Sequence, residues 1–580
     1  MTDLSITLNR TEAHGLGMGY RNDTARFSYV SPAKAVCLNL YTEPDTEPVC
    51  SIEIDDSCKE GDIFSFEIKG KKLSGLLYDY SVDGEIVCDP FATRVVCSEC
   101  LDKTLRYYGV IGEDDFDWNG DKAPQIAPND LIIYKLHAKG FTASRFSGVT
   151  KKGTFAGLTN KIDYIRELGV NAVEIMPAYE FVNISPHENY WGYAGGFYYA
   201  PKRAYCSNKG ADYVNEFKML VREFHRNGIE VFMEFFFPKE VGVYVISDCL
   251  RFWHTHYHID GAHVICDERA LKTLADSPFI KDLKLLATRW DGDCTKGNLI
   301  EYNDGFLENA RHMLKGDENY LKAFMYAMRK NPANAYSVNY VATNNGFTLA
   351  DVYSYDRKHN ETNGENNRDG TDYNISWNCG VEGPTRKKKV LELRTQLMKN
   401  ALSMVLLSQG IPLIYAGDEF GNSQNGNNNA YCQDNETGWL DWKALKHNGE
   451  YFTYVRQLIA FRKEHAALHQ PTEVILSDYR YLGIPDVSYH GEKAWYPEME
   501  YYIRYGGIMT CGAYAGDESN VYVAYNMHWE SHTIALPSIN GRRWTFFSSS
   551  DSSYTAMPEG TRKISVPPRS ILVLVDEKNS

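Results

Sequence analysis

The sequence predicts an α/β protein built on a (β/α)8, or TIM, barrel, with an N-terminal β-sandwich and a C-terminal antiparallel β-domain on either side. Three observations carry this expectation. Apolar strand-like runs alternate with amphipathic helical segments between about residues 130 and 420. The segments before about 120 and after about 465 lose the helical period and read as short strands with turns. The chain has 580 residues, too many for one compact core, so about two to four domains are expected. The expected domains are residues 1–120, 121–465 and 466–580.

In the first segment, Arg26–Val30 and Val36–Tyr41 are strand-like, and Ile63–Ile68 alternates with period two. In the second, Leu131–Tyr134 is a strand and Leu158–Leu168 a helix closed by Gly169. Val170–Met176 is a strand stopped by Pro177. Phe217, Leu220, Val221 and Phe224 share one helical face, and Gly228 ends that helix. Ile229–Phe237 is almost continuously apolar, as a strand buried on both faces should be. Further strands are expected near 258–265, 283–288, 335–342 and 411–416, with a long helix over about 386–409. Repeated βα units over this length fit a closed barrel better than an open sheet. No Gly-x-Gly-x-x-Gly or P-loop follows any strand, so a nucleotide site is not supported. In the third segment, Val521–Tyr525, Ser531–Ala535 and Ile571–Val575 read as strands.

Composition narrows the function classes. The formal net charge of -15 repels nucleic acid and anionic membrane surfaces. No apolar run is long enough to span a bilayer. The start of the chain lacks a signal-peptide pattern, and the 13 cysteines are odd in number and scattered. Together these predict reduced thiols and a cytoplasmic location. Cys97 and Cys100 form one C-x-x-C pair, with no second pair at a zinc-site spacing. His254, His256 and His258 alternate; on a strand they would share a face and could bind a metal. The aromatic fraction of 13% gives weak support for a sugar ligand, since aromatic residues also fill cores.

Longer motifs carry a resemblance. Tyr134-x-x-His137-x-x-Gly140-Phe141-Thr142, Asn189-Tyr190-Trp191-Gly192-Tyr193 and Ala416-Gly417-Asp418-Glu419-Phe420-Gly421 are three of them. Asp351–Tyr355 with the loop through Gly370, and Gly426–Glu436, are two more. Leu77–Tyr80 and Cys88–Ala92 look like the end of an isoamylase-type N-terminal module, and Asp486–Gly491 and Asn526–Glu530 extend the match to the C-terminal part. Over nearly its whole length the chain resembles the isoamylase, or glycogen-debranching, branch of the α-amylase superfamily. That resemblance implies retaining hydrolysis of α-1,6 linkages, with a nucleophile, an acid/base and a stabilising carboxylate supplied by different strand ends.

At those positions this chain carries other residues. Ile259–Ile265 resembles the strand Val-Asp-Gly-Phe-Arg-Phe-Asp, with His263 at the arginine and Ile265 at the nucleophile. Lys284–Asp291 resembles Lys-Leu-Ile-Ala-Glu-Pro-Trp-Asp, with Thr288 at the acid/base. Tyr340–Phe347 resembles Phe-Val-Thr-Ala-His-Asp-Gly-Phe, with Asn344 and Asn345 at the His-Asp pair. Glu234 stands at a family aspartate, and Pro238 and Lys239 at an Asn-His pair. An isoleucine is no nucleophile, and a threonine hydroxyl cannot protonate a glycosidic oxygen at neutral pH.

The expectation is therefore a non-hydrolytic α-glucan-binding or regulatory protein. Its ligand is glycogen or a maltooligosaccharide, and an active debranching enzyme is a candidate partner. Tyr190, Trp191, Tyr193, His263, Asn344 and Asn345 are the expected sugar-contacting residues. No metal and no cofactor is implied. An active α-1,6-glucosidase with rearranged catalytic residues is the alternative, and Asp267, Glu268, Asp291 and Asp293 are its candidate carboxylates. A purely structural protein with a vestigial pocket is a third reading.

Overall fold

The computed structural model describes residues 6–12, 15–99, 105–182, 189–208 and 212–579. Two antiparallel sheets form the N-terminal part. One has the order Thr7–Arg10, Ile63–Lys69, Thr24–Val30, Gly17–Arg21. The other runs Val95–Glu99, Leu105–Val110, Leu77–Val82, Val36–Tyr41, Cys50–Ile54. Their inner faces share one core: Phe27 meets Tyr78 at 5.2 Å and Tyr29 stacks on Tyr80 at 4.0 Å. Alternating apolar residues on both sheets make this a sandwich. Cys97 sits on an outer strand of the second sheet, while Cys100 lies outside the described residues.

The centre is a closed barrel of eight parallel strands. In chain order they are β1 (Ile133–Leu136), β2 (Ala172–Ile175), β3 (Glu230–Phe236) and β4 (Gly261–Ile265). The remaining four are β5 (Lys284–Ala287), β6 (Leu299–Tyr302), β7 (Tyr336–Asn339) and β8 (Ile411–Tyr415). β8 pairs back onto β1, Ile133 lying opposite Leu413, which leaves no open edge. The strands are short and buried on both faces, as their apolar runs require.

Two local expectations are corrected. The helix expected over Leu158–Leu168 is two pieces, Phe155–Thr159 and Ile162–Leu168, with Gly169 ending the second at φ 98°. The three alternating histidines do not share a strand face. His254 and His256 lie on the helix Val243–Tyr257 (α1), and His258 is its left-handed cap at φ 55°. Ile246, Cys249, Leu250, Trp253 and Tyr257 face the core at helical spacing, and that period overrides the alternation. The imidazoles have separate partners. His254 bonds the Ile259 carbonyl, His256 stacks on Phe252, and His258 bonds Asp121 and stacks on Trp118.

The C-terminal part is a five-stranded antiparallel sheet, Val487–His490, Tyr505–Thr510, Val521–Asn526, Ser570–Lys578, Arg542–Ser549, with a second ribbon, His532–Ala535 against Lys563–Val566. Contacts such as Phe324 with Tyr525 at 5.1 Å join its core to that of the barrel helices. Among the described residues, no helix is long and apolar enough to cross a membrane.

Candidate functional site

Four neighbouring barrel strands each contribute one ionisable side chain to a common buried cluster. β1 carries Lys135, β2 Glu174, β3 Glu234 and β4 His263, and all four are buried. Parallel register sets Lys135 beside Glu174 and Glu234 beside His263. The Lys135 ammonium pairs with Glu234 and lies 3.5 Å from Glu174. His263 Nδ1 lies 2.9 Å from an oxygen of each carboxylate.

Neutral donors complete the cluster. The Tyr302 hydroxyl donates to Glu174 at 2.6 and 2.7 Å, and its ring stacks on His263 at 4.6 Å. The Tyr193 hydroxyl donates to Glu234 at 2.5 Å and accepts from Asn344 Nδ2 at 3.2 Å.

Burial of four ionisable groups is tolerable only when charges and hydrogen bonds are matched. Burial disfavours the Lys135 ammonium, but Glu234 and Glu174 outweigh it and hold its pKa above the ordinary value. Burial likewise pulls the His263 imidazolium down, and hydrogen bonds to Glu174 and Glu234 reverse the sign, leaving it raised. Burial opposes ionisation of Glu234, yet Lys135 and His263 hold it well below the usual carboxylate range. The two carboxyl groups therefore share one ammonium and one imidazole, and these contacts favour the charged forms of Lys135 and His263.

Above this floor opens a cavity of about 440 Å3 at the C-terminal ends of the strands. Ile265 ends β4, Thr288 follows β5, and Asn344 and Asn345 lie in the loop after β7. All four line the cavity together with Trp191, Tyr193 and His263. The expected site residues thus converge, with one exception. Tyr190 does not line it: its ring stacks on His137 at 4.0 Å and its hydroxyl donates to the Gly438 carbonyl, so it packs the adjoining loops together.

The alternative carboxylates also fall elsewhere. Asp267 caps the helix Glu268–Ala275, accepting from the Arg269 N–H at 3.0 Å and pairing with its guanidinium. The helix begins three residues after Ile265, and its N-terminus draws the Asp267 carboxylate away from the cavity. Glu268, Asp291 and Asp293 are exposed and do not line the cavity.

Site residues that were not anticipated include Lys135, Glu174, Tyr302 and Asp304. Asp304 begins the helix Asp304–Lys315, lines the cavity, and accepts from the Tyr340 hydroxyl. The signal for Lys135 and Glu174 was present in the sequence. Each is a single charge inside an otherwise apolar strand, and such charges are almost never buried unless paired.

Glu174, Glu234 and His263 bring three donor atoms within 4.8 Å of one another, close enough to hold a metal ion. The Lys135 ammonium already supplies the positive charge to both carboxylates, so an ion would have to displace it. The loops at the mouth are cross-braced by amides: Asn360 donates to Asn428 at 2.9 Å, Asn427 to Asn363 at 2.9 Å, and Asn429 to Asp369 at 3.0 Å.

Comparison with known proteins agrees with this architecture. Residues 132–238 match the family model described as alpha amylase, catalytic domain. Isoamylase 3, chloroplastic, from Oryza sativa subsp. japonica is 30% identical, covering 87% of this chain and 78% of its own. The glycogen operon protein GlgX homolog of Haemophilus influenzae is 31% identical, covering 70% of this chain and 78% of its own. In fold, the chain is similar to the pullulanase type I from Bacillus subtilis str. 168 complexed with maltose. That match has a TM-score of 0.76 at 18% identity, over 97% of this chain and 86% of that one. The chain belongs to the isoamylase, or glycogen-debranching, branch of the α-amylase superfamily.

Proposed function

We propose that this protein binds α-glucan without hydrolysing it, as a binding or regulatory member of its branch acting in the cytoplasm, with an active debranching enzyme as candidate partner. One observation carries the reading. Ile265, Thr288 and Asn345, which stand where the family resemblance places nucleophile, acid/base and stabiliser, line one and the same cavity. Retaining hydrolysis needs two carboxyl groups flanking the scissile bond.

The carboxylates that do line this cavity have other partners. Glu234 is held ionised by Lys135 and His263, and a carboxylate so stabilised is a poor proton donor. Asp304 accepts the Tyr340 hydroxyl. A glucose ring fits the remaining chemistry, with Trp191 and Tyr193 offering ring faces and Asn344 and Asn345 offering amides to the hydroxyls. The charged groups beneath are paired with one another, which suits an uncharged ligand.

The test is an isotherm with glycogen and maltooligosaccharides, run beside a reducing-end assay on the same pure sample. Saturable binding with no new reducing ends is expected. Absence of binding to both ligands would sink the reading. Asp304 is the observation that favours a second one, a debranching hydrolase with rearranged residues. Release of maltooligosaccharides from glycogen, abolished by Asp304→Asn, would establish that reading instead.

A further inference from the structure

A cavity of about 430 Å3 lies between the segments that follow β1 and β8, and shares no lining residue with the barrel-mouth cavity. The sequence on its β1 side departs from the character of the chain. Residues 139–161 hold five cations, Lys139, Arg145, Lys151, Lys152 and Lys161, and no carboxylate, although the net charge of the whole chain is -15.

Three cations line the cavity: Arg145 and Lys152 from the β1 side and Lys443 from the β8 side. Two of them share one ring. The Arg145 guanidinium lies 4.7 Å and the Lys443 ammonium 4.0 Å from the centre of Phe146, itself 42% exposed. Among the described residues, none of the three cations forms an ion pair, whereas neighbouring Lys139 pairs with Asp434. Cations gathered without a counter-charge repel one another, and the ring face holds two of them in place.

The two carboxylates of the lining do not supply that counter-charge. Asp441 caps the helix Trp442–His447, its side chain accepting from the Lys443 backbone N–H at 3.1 Å. Glu436 is exposed and pairs with none of the three cations. Trp439 donates its indole N–H to Asp434 at 2.8 Å, so it offers the cavity a ring and no donor.

We propose that this cavity binds a sugar phosphate, a phosphate monoester carried on a single neutral ring. The phosphate is the counter-charge that Arg145, Lys152 and Lys443 lack. A guanidinium can meet two phosphate oxygens at once, and the lysines act beside it as point charges. The sugar ring lies against Phe146 and Trp439, and Glu436 accepts from its hydroxyls at the rim. A bare anion would leave Glu436 facing like charge, and a neutral sugar would leave the cations unpaired; one ligand carrying both groups satisfies both. The volume falls within the range of small-molecule sites.

The experiment titrates the full chain with glucose 6-phosphate, inorganic phosphate and glucose by calorimetry at low ionic strength. It is repeated with Arg145→Gln, Lys443→Gln and Phe146→Ala, all exposed positions, with unchanged melting verifying each fold. One glucose 6-phosphate per chain is expected, bound at least about tenfold more tightly than inorganic phosphate or glucose. Each variant should weaken it at least about tenfold, and added salt should weaken it further. Absence of binding, equal affinity for inorganic phosphate or for glucose, or an affinity unchanged in all three variants overturns the proposal. Displacement by maltoheptaose also overturns it, because that places the ligand at the barrel mouth.

Discussion

Lys135→Met is the sharpest probe of the charge cluster. Methionine keeps the length and apolar stem of lysine inside the barrel but removes the ammonium that pairs with Glu234 and approaches Glu174. Glu174 and Glu234, both buried, would then share only the His263 imidazole and neutral hydroxyl donors. Removing one member of a buried pair costs about 3–5 kcal/mol, most of it the penalty of the charge left behind. A Coulomb attraction of about 4 kcal/mol for unit charges 4 Å apart at an effective dielectric constant near 20 gives the same scale.

The assay is chemical denaturation at pH 7.5, following intrinsic fluorescence; six of the ten tryptophans lie within residues 121–465. The barrel transition should lose about 3–5 kcal/mol in Lys135→Met. The loss should shrink as pH falls, because a protonated carboxyl no longer needs the ammonium. Adding Glu234→Gln to Lys135→Met removes the carboxyl that loses its ammonium partner. It should recover about 1–3 kcal/mol, the coupling expected of residues in one network. A single variant within about 0.5 kcal/mol of wild type would refute the charge accounting.

Four further outcomes follow from the same structure. The pKa of His263 is raised above its ordinary 6.5, so its contribution is complete below that value and is lost as pH rises through the folded one; His263→Gln should remove that alkaline decline from a pH–stability profile. Glu234 is depressed, so its contribution is present above the ordinary 4.5 and disappears as pH falls through the folded value; Glu234→Gln should flatten the acid limb. Asp267→Ala should cost about 0.5–2 kcal/mol through loss of a helix cap while leaving glucan binding unchanged, and a change in binding would contradict its placement outside the cavity. Asn345→Ala, on the cavity wall, should weaken maltooligosaccharide binding by about 0.5–1.5 kcal/mol in calorimetry.

The apolar strand runs and the glycine stops made the barrel legible, since both-face burial leaves a continuous signature such as Ile229–Phe237. The three histidines before β4 alternate as they would on a strand, but alternation over a few residues also occurs on a helix, and only the wider apolar spacing separates the two. Tyr190 shares its motif with Trp191 and Tyr193, which line the cavity, yet does not line it itself. One residue along a loop is enough to send a ring toward His137 instead of the cavity.

By itself the sequence determined the fold class, the family motifs, and the identity of Ile265, Thr288 and Asn345 at three strand ends. These are local properties, carried by period, spacing and residue type. Tertiary structure alone decided that those three line one cavity, and that Lys135, Glu174, Glu234 and His263 form one paired cluster beneath it. It also decided that Asp267 caps a helix. Residues from β1 to β7 are separated by up to about two hundred positions, and only closure of the barrel brings their side chains within hydrogen-bonding reach.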